Sequence, residues 1–238
     1  MALTASRTTN GFEIIGNMMN VADNGTPWLL KENTAFSKGD MVVLTNGKVN
    51  KAAAGATNVL GVMAESITTA DNPDASETYG KVYTNPFNIY RCTFADHTDS
   101  TATGGTTTTI VDTALAEDND DDLNGAYVYV YEGTNAGCAR TVYDYTGTSD
   151  TLTVEKAFPA AIDTTSKYIL LGAGSEDNDA INVGTFGIDL KDENTIDAGE
   201  NVLSSAVEVG PLVCLAIHPQ DLMMDVLVRS HLFNAGIA

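Results

Sequence analysis

Few residues in this chain have types and spacing suited to chemistry. Asp120-x-Asp122-x-Asn124-Gly125 matches the first half of a calcium loop, where alternate side-chain oxygens surround one hard cation. Such a loop closes with a bidentate Glu at its twelfth position. Counted from Asp120, that position is Tyr131, and Glu132 falls one residue late. A strand-like run also begins directly after Gly125, where the loop would have to continue. The expectation is a solvated acidic turn over Asp118–Asp122, with no metal. His218 precedes Pro219 and stands near Asp221, an arrangement that resembles half of a catalytic dyad. No Gly-x-Ser-x-Gly shapes a serine nucleophile to complete it, so His218 reads as structural. His97, His218 and His231 lack the i, i+4 spacing of a helix-borne metal pair. Gly104-Gly105 runs into threonines rather than into a helix carrying Lys, so it does not cradle phosphate. Spacing nominates no pair among the 32 acids for glycoside hydrolysis. The sequence therefore offers no catalytic, cofactor-binding or metal-ligating residue, and reads as a structural or binding protein rather than an enzyme.

Cys92, Cys138 and Cys214 fit no zinc spacing, and an odd number cannot pair fully within one chain. Their apolar or small neighbours suggest buried free thiols; an intermolecular disulfide is the alternative.

Charge narrows the partners. Twelve Lys and Arg against 32 Asp and Glu give a net charge of −20 over 238 residues. Nucleic acid and anionic membranes attract cationic faces, so both are poor partners. The charge is uneven. Residues 1–97 carry 7 basic and 9 acidic side chains, residues 98–172 carry 3 and 12, and residues 173–238 carry 2 and 11. The first segment is the least costly to lay against another protein. The first 16 residues lack the basic and apolar regions of a signal peptide, and no apolar run is long enough to span a membrane.

The elements read as all-β. Asn46-Gly47, between Met41–Leu44 and Lys48–Asn50, is a strong hairpin signal, because both turn residues need positive φ. Val59–Val62 adds a third strand. Residues 1–34 read as an arm, in which Trp28 is either a core plug or an interface anchor. Phe87–Phe94 alternates, with Asn88, Tyr90, Cys92 and Phe94 on one face. Asp99–Thr109 reads as a linker. Ala126–Tyr131 alternates most clearly, with Tyr127, Tyr129 and Tyr131 on one face and Ala126, Val128 and Val130 on the other. Strands are expected at Thr107–Val111, Arg140–Tyr145, Thr151–Glu155, Tyr168–Leu171, Ile181–Leu190, Glu208–Ile217 and Asp225–Ser230. A short helix over Leu222–Phe233 is the alternative to the last of these. About a dozen strands result. The strands after Gly172 are too few to stand alone, so they are expected to return and pair with the Ala35–Ser66 unit.

Two segments resemble a known family. Phe36-Ser37-Lys38-Gly39-Asp40-Met41-Val42-Val43-Leu44, Gly47-Lys48-Val49 and Val59-Leu60-Gly61-Val62 resemble the start of tailed-bacteriophage capsid decoration, or head cement, proteins. Leu123–Val128, Gly133–Tyr145, Leu152–Glu155 and Phe158-Pro159 resemble a small β module of phage virion proteins. Where such modules often carry a Gln-like residue, this chain has Cys138 and Ala139. The resemblance implies a protein on the outer surface of the virion capsid, bound to the major capsid protein, stabilising the mature head, and forming a homo-oligomer, with a trimer favoured. It implies no cofactor. The expected architecture is an arm (1–34), a base β-barrel or β-tulip-like domain (35–97 with 173–238), and an inserted small β-barrel or sandwich (98–172). Phe12, Ile14, Trp28, Leu29 and Phe36 are the expected interface residues. The alternatives are another virion component (tail tube, neck or head fibre), or a carbohydrate-binding or adhesin module that stacks sugars on the Tyr127, Tyr129, Tyr131 face.

Overall fold

A computed structural model describes residues 11–74, 77–115, 119–172, 180–201 and 210–229. The first part of the chain forms β1 (Glu13–Asn17), β2 (Thr26–Leu29), β3 (Met41–Thr45), β4 (Lys48–Lys51), β5 (Val59–Met63), β6 (Tyr79–Tyr83) and β7 (Asn88–Ala95). The middle forms β8 (Thr98–Thr101), β9 (Gly104–Gly105), β10 (Thr109–Val111), β11 (Tyr127–Glu132), β12 (Ala139–Thr146), β13 (Thr151–Val154) and β14 (Lys167–Leu171). The last part forms β15 (Phe186–Asp192), β16 (Thr195–Asn201), β17 (Leu212–His218) and β18 (Met223–Val228). The protein is all-β. No helix among the described residues is long and apolar enough to cross a membrane.

β7 is the central strand. It pairs with β18 on one edge; on the other it pairs with β1 and then, further along, with β16. β16, β15, β17 and β18 follow in order and return to β7, closing a five-stranded barrel from N- and C-terminal strands. The alternation read from the sequence holds: Tyr90, Cys92 and Phe94 enter the barrel core beside Ile188, Leu190, Cys214, Met224 and Val226. Closure leaves the barrel strands few open edges, which limits edge-to-edge association.

The second sheet runs β2-β6-β5-β3-β4. Its hairpin forms as expected, with Thr45 opposite Lys48 and positive φ at Asn46 (52°) and Gly47 (78°). Gly61 is required by proximity, because a Cβ there would lie 1.9 Å from the Tyr83 carbonyl oxygen. Leu30, Phe36, Val42, Val49, Leu60, Met63 and Val82 fill this sheet's core. β3 faces two ways: Val42 belongs to this core and Met41 to the barrel core. Between the two units, Lys51 bridges the buried carboxylate of Asp40 (3.0 Å) and Glu193 (2.8 Å).

The expected return of the C-terminal strands is corrected in its partner. They pair with β7, not with the Ala35–Ser66 unit. The reason is edge availability. β3 is flanked by β4 and β5, β5 by β3 and β6, and the outer side of β4 meets Leu30 through a bridge at Val49, whereas β7 has two edges to fill. Within residues 1–34, two segments are strands of these sheets: β1 on β7 and β2 on β6. Residues 1–10 lie outside the described residues.

The middle of the chain forms an inserted seven-stranded sheet, β8-β14-β11-β12-β13-β10-β9. The stretch read as a linker contributes β8 and β9. β9 is the pair Gly104-Gly105 held against β10, and the hydroxyl-rich β8 is held by a polar centre rather than by apolar alternation. That centre is Asp112, fully buried, which accepts from Tyr168 Oη (2.6 Å), Ser100 Oγ (2.5 Å) and the Ala114 amide (2.9 Å). β11 is the shared wall. Val128 and Val130 point into the insert's core, while Tyr129 joins the barrel's, with Tyr127 and Tyr131 packed beside it. β14 divides in the same way, with Tyr168 and Leu170 on one side and Ile169 and Leu171 on the other. A strand covered on both faces reads as a continuous apolar run, which Tyr168–Leu171 is.

Candidate docking surface

One polar network and one apolar group stand out where β1 ends and β7 begins. Ile15, Met18, Met19, Val21 and Phe87 are all exposed there, the two methionines by 61% and 62%. Scattered exposed apolar side chains need no explanation, but a cluster does. The loop that carries them is fixed from beneath. Asn17 Nδ2 donates to Asn88 Oδ1 (2.8 Å), and Asn88 Nδ2 donates to Asp23 Oδ2 (2.9 Å) and to Tyr90 Oη (3.1 Å). Asn17 Oδ1 accepts the Met19 amide (2.8 Å), while Asp23 accepts the amides of Gly25 (2.9 Å) and Asn85 (3.0 Å). Met18 N–H donates to the Phe87 carbonyl (2.9 Å), and Asn20 takes a left-handed φ of 53°. Asn88 is 1% exposed. The buried Asn88 and half-buried Asn17 thus hold the loop in one shape while its apolar side chains face outward. A rigid apolar surface loses little conformational freedom on binding, and methionine adapts to irregular partners. Sequence reading missed this surface. Its signal is Asn17-Met18-Met19-Asn20, an exposed methionine pair between two turn-forming asparagines.

The residues expected at an interface are not gathered in one place. Phe12 and Phe36, each 2% exposed, are core residues of the barrel and of the second sheet. Ile14 packs against the barrel core and Trp28 against the second sheet's core, both half-buried. Leu29 is half-buried on β2.

A polar cluster lies on the outer wall of the barrel. Arg91 grips Asp225 with both Nε (2.6 Å) and Nη2 (2.8 Å). His218 Nε2 lies 2.9 Å from Asp225 Oδ2 and 2.9 Å from Arg91 Nη2. That nitrogen either donates to the carboxylate or accepts from the guanidinium, never both. Burial pushes the Asp225 carboxyl up, but the bonds from Arg91 and His218 outweigh it and hold it below its ordinary range. His218 therefore partners Asp225. No Ser, Thr or Cys among the described residues bonds to His218. His231 lies outside the described residues. His97 sits between β7 and β8, edge-on to the Phe94 ring at 5.5 Å, and burial pushes its pKa down.

The acidic turn is occupied by the fold. Asp120 Oδ1 accepts the Gly147 amide (2.8 Å), Asp121 Oδ1 accepts Asn124 Nδ2 (2.7 Å), and Asn124 Oδ1 accepts the Tyr145 amide (2.8 Å). Asp118 lies outside the described residues. No three His, Cys, Asp or Glu side chains gather as a metal centre among the described residues. The tyrosine face is an internal seam. Tyr129 is 5% exposed and its hydroxyl accepts from Gln220 Nε2 (3.1 Å), so it offers no open platform for a sugar ring. The three cysteines are free thiols, with Cys92 and Cys214 buried and Cys138 half-buried.

No family model, no curated protein and no solved structure matches this chain.

Proposed function

We propose that this chain is a capsid decoration protein of a tailed bacteriophage. In this reading it docks on the outer surface of the assembled head, against the major capsid protein, and stabilises the mature shell. The observation that carries the reading is the rigid apolar surface of Met18, Met19, Val21 and Phe87, held by the Asn17–Asn88–Asp23 network. It lies in the part of the chain with 7 basic and 9 acidic residues, whereas residues 98–172, which make up the insert, hold 3 and 12. In this reading docking goes through the near-neutral first segment, and the more acidic insert points outward. The resemblance of Phe36–Leu44 and of Val59–Val62 to head cement proteins supports the same assignment.

The mechanism is linkage. A protein that binds only the assembled lattice stabilises that lattice by mass action. Many equivalent contacts then act together, the more so if copies associate, for which a trimer is our proposal. The test is binding of the purified chain to undecorated, expanded heads, followed by the heads' melting temperature. Saturation at a fixed copy number per capsomer with raised melting supports the reading, and absence of binding rejects it.

A further inference from the structure

Six of the seven methionines lie among the described residues, and they fall into two classes. Met41 and Met224 belong to the barrel core, Met63 to the second sheet's core, and Met223 on β18 is buried too; each is 1% exposed or less. Met18 and Met19 are 61% and 62% exposed. They are adjacent in sequence and share one exposed apolar group with Ile15, Val21 and Phe87. The loop does not depend on their side chains for its shape. Its bonds run through backbone and amide groups: Met18 N–H to the Phe87 carbonyl (2.9 Å), Met19 N–H to Asn17 Oδ1 (2.8 Å), and Asn17 to Asn88 to Asp23 beneath. A change confined to the two sulfur atoms therefore alters what the surface presents and leaves the supporting bonds in place.

We propose that Met18 and Met19 are a modification site for peroxides, at which conversion to sulfoxide switches this surface from apolar to polar. The reaction is thioether chemistry at an accessible sulfur. The sulfur lone pair attacks one oxygen of hydrogen peroxide; an S–O bond forms and the O–O bond breaks. Sulfur is oxidised by two electrons, and the second peroxide oxygen leaves as water, carrying both protons. Each event adds one oxygen atom, which is a strong hydrogen-bond acceptor. Burying that acceptor unpaired in an apolar interface is costly. Reduction of both sulfoxide epimers restores the thioether, so the switch is reversible. The site itself follows from exposure alone; its effect on head binding rests on the docking reading.

The full chain is treated with dilute hydrogen peroxide, and oxygen uptake at each methionine is followed by mass spectrometry of its fragments. Met18 and Met19 should take up oxygen at least about tenfold faster than the four core methionines, whose reaction waits on local opening. The melting temperature should be unchanged, and retention on a phenyl column should fall. Met18→Leu/Met19→Leu keeps the surface apolar and has no sulfur there, so peroxide should leave its retention as it was. The oxidised parent should bind undecorated, expanded heads at least about tenfold more weakly than the reduced parent. Treatment with sulfoxide reductases for both epimers and a dithiol should restore binding. Uptake at Met18 and Met19 no faster than in the core, or unchanged retention after their oxidation, overturns the proposal, as does equal head binding by the oxidised and reduced parent. If the reduced parent binds no heads, the docking reading fails instead, and uptake and retention alone decide the switch.

Discussion

Asn17 and Asn88 face each other where β1 meets β7, and the amide of one donates to the carbonyl of the other across 2.8 Å. Asn88 continues the connection to Asp23, so a single buried side chain joins three segments. The exposed methionines of the neighbouring loop owe their placement to this pair.

Asn88→Ala should therefore loosen the loop more than it alters the exposed surface. Truncation leaves Asn17 and Asp23 without their central partner, at about 1–3 kcal/mol. Amide exchange of residues 18–25 should accelerate and the melting temperature fall. Met18→Asp, at an exposed site, should change stability by no more than about 0.5 kcal/mol. Equal losses for the two variants would contradict a separate supporting network.

Tyr129 joins the insert to the barrel. Tyr129→Ala should cost about 3–5 kcal/mol, typical of a buried aromatic truncation. Tyr129→Phe removes only the bond from Gln220 and should cost about 1 kcal/mol. Denaturant melts of both variants measure this. A small loss for the Ala variant would mean that the seam contributes little.

Acid should weaken the fold through Asp225. Its folded pKa lies below its unfolded value of about 3.9. The stabilisation is thus complete above the unfolded value and is lost as pH falls through the folded one. Asp225→Asn should flatten the melting profile below about pH 4. An unchanged slope would contradict the bonds from Arg91 and His218 as the cause.

His97 acts at higher pH with the same sign. Burial favours its neutral form, so its folded pKa lies below the unfolded value of about 6.5. Stability should begin to fall as pH drops through that unfolded value. His97→Gln should remove this part of the profile and leave the Asp225 part in place.

The thiols give a check on burial. Cys138 should react first with a thiol reagent, and Cys92 and Cys214 only after denaturation. Burial pushes the Cys214 thiol up to about 12 and Cys92 higher still, which removes the reactive thiolate. Immediate reaction of all three would contradict the barrel interior.

Much of this architecture was legible because period-2 alternation is a local signal. Phe87–Phe94 and Ala126–Tyr131 showed both of their faces, and Asn46-Gly47 showed its turn. The last strand was legible too, since Val226 and Val228 alternate inward. What was hidden depends on contacts distant in sequence. β16 alternates its inward Ile196 and Ala198 with Asp197 and Gly199, so its strand character comes from pairing with β15 and β7. β8 depends on Asp112, twelve residues on from Ser100. The exposed apolar group at Met18 and Met19 was missed because aromatic anchors were sought in an arm. Phe12 lies instead in the barrel core, and the exposed apolar residues are methionines between asparagines. Their significance rests on Asn88, 71 residues beyond Asn17.

The most direct test compares the parent chain with Met18→Asp/Met19→Asp on undecorated, expanded heads. The account predicts saturable binding and raised head melting for the parent. The variant should fold normally and bind at least about tenfold more weakly, as expected when charge enters the centre of an apolar interface. Equal binding by the two proteins, or no binding by the parent, would contradict it.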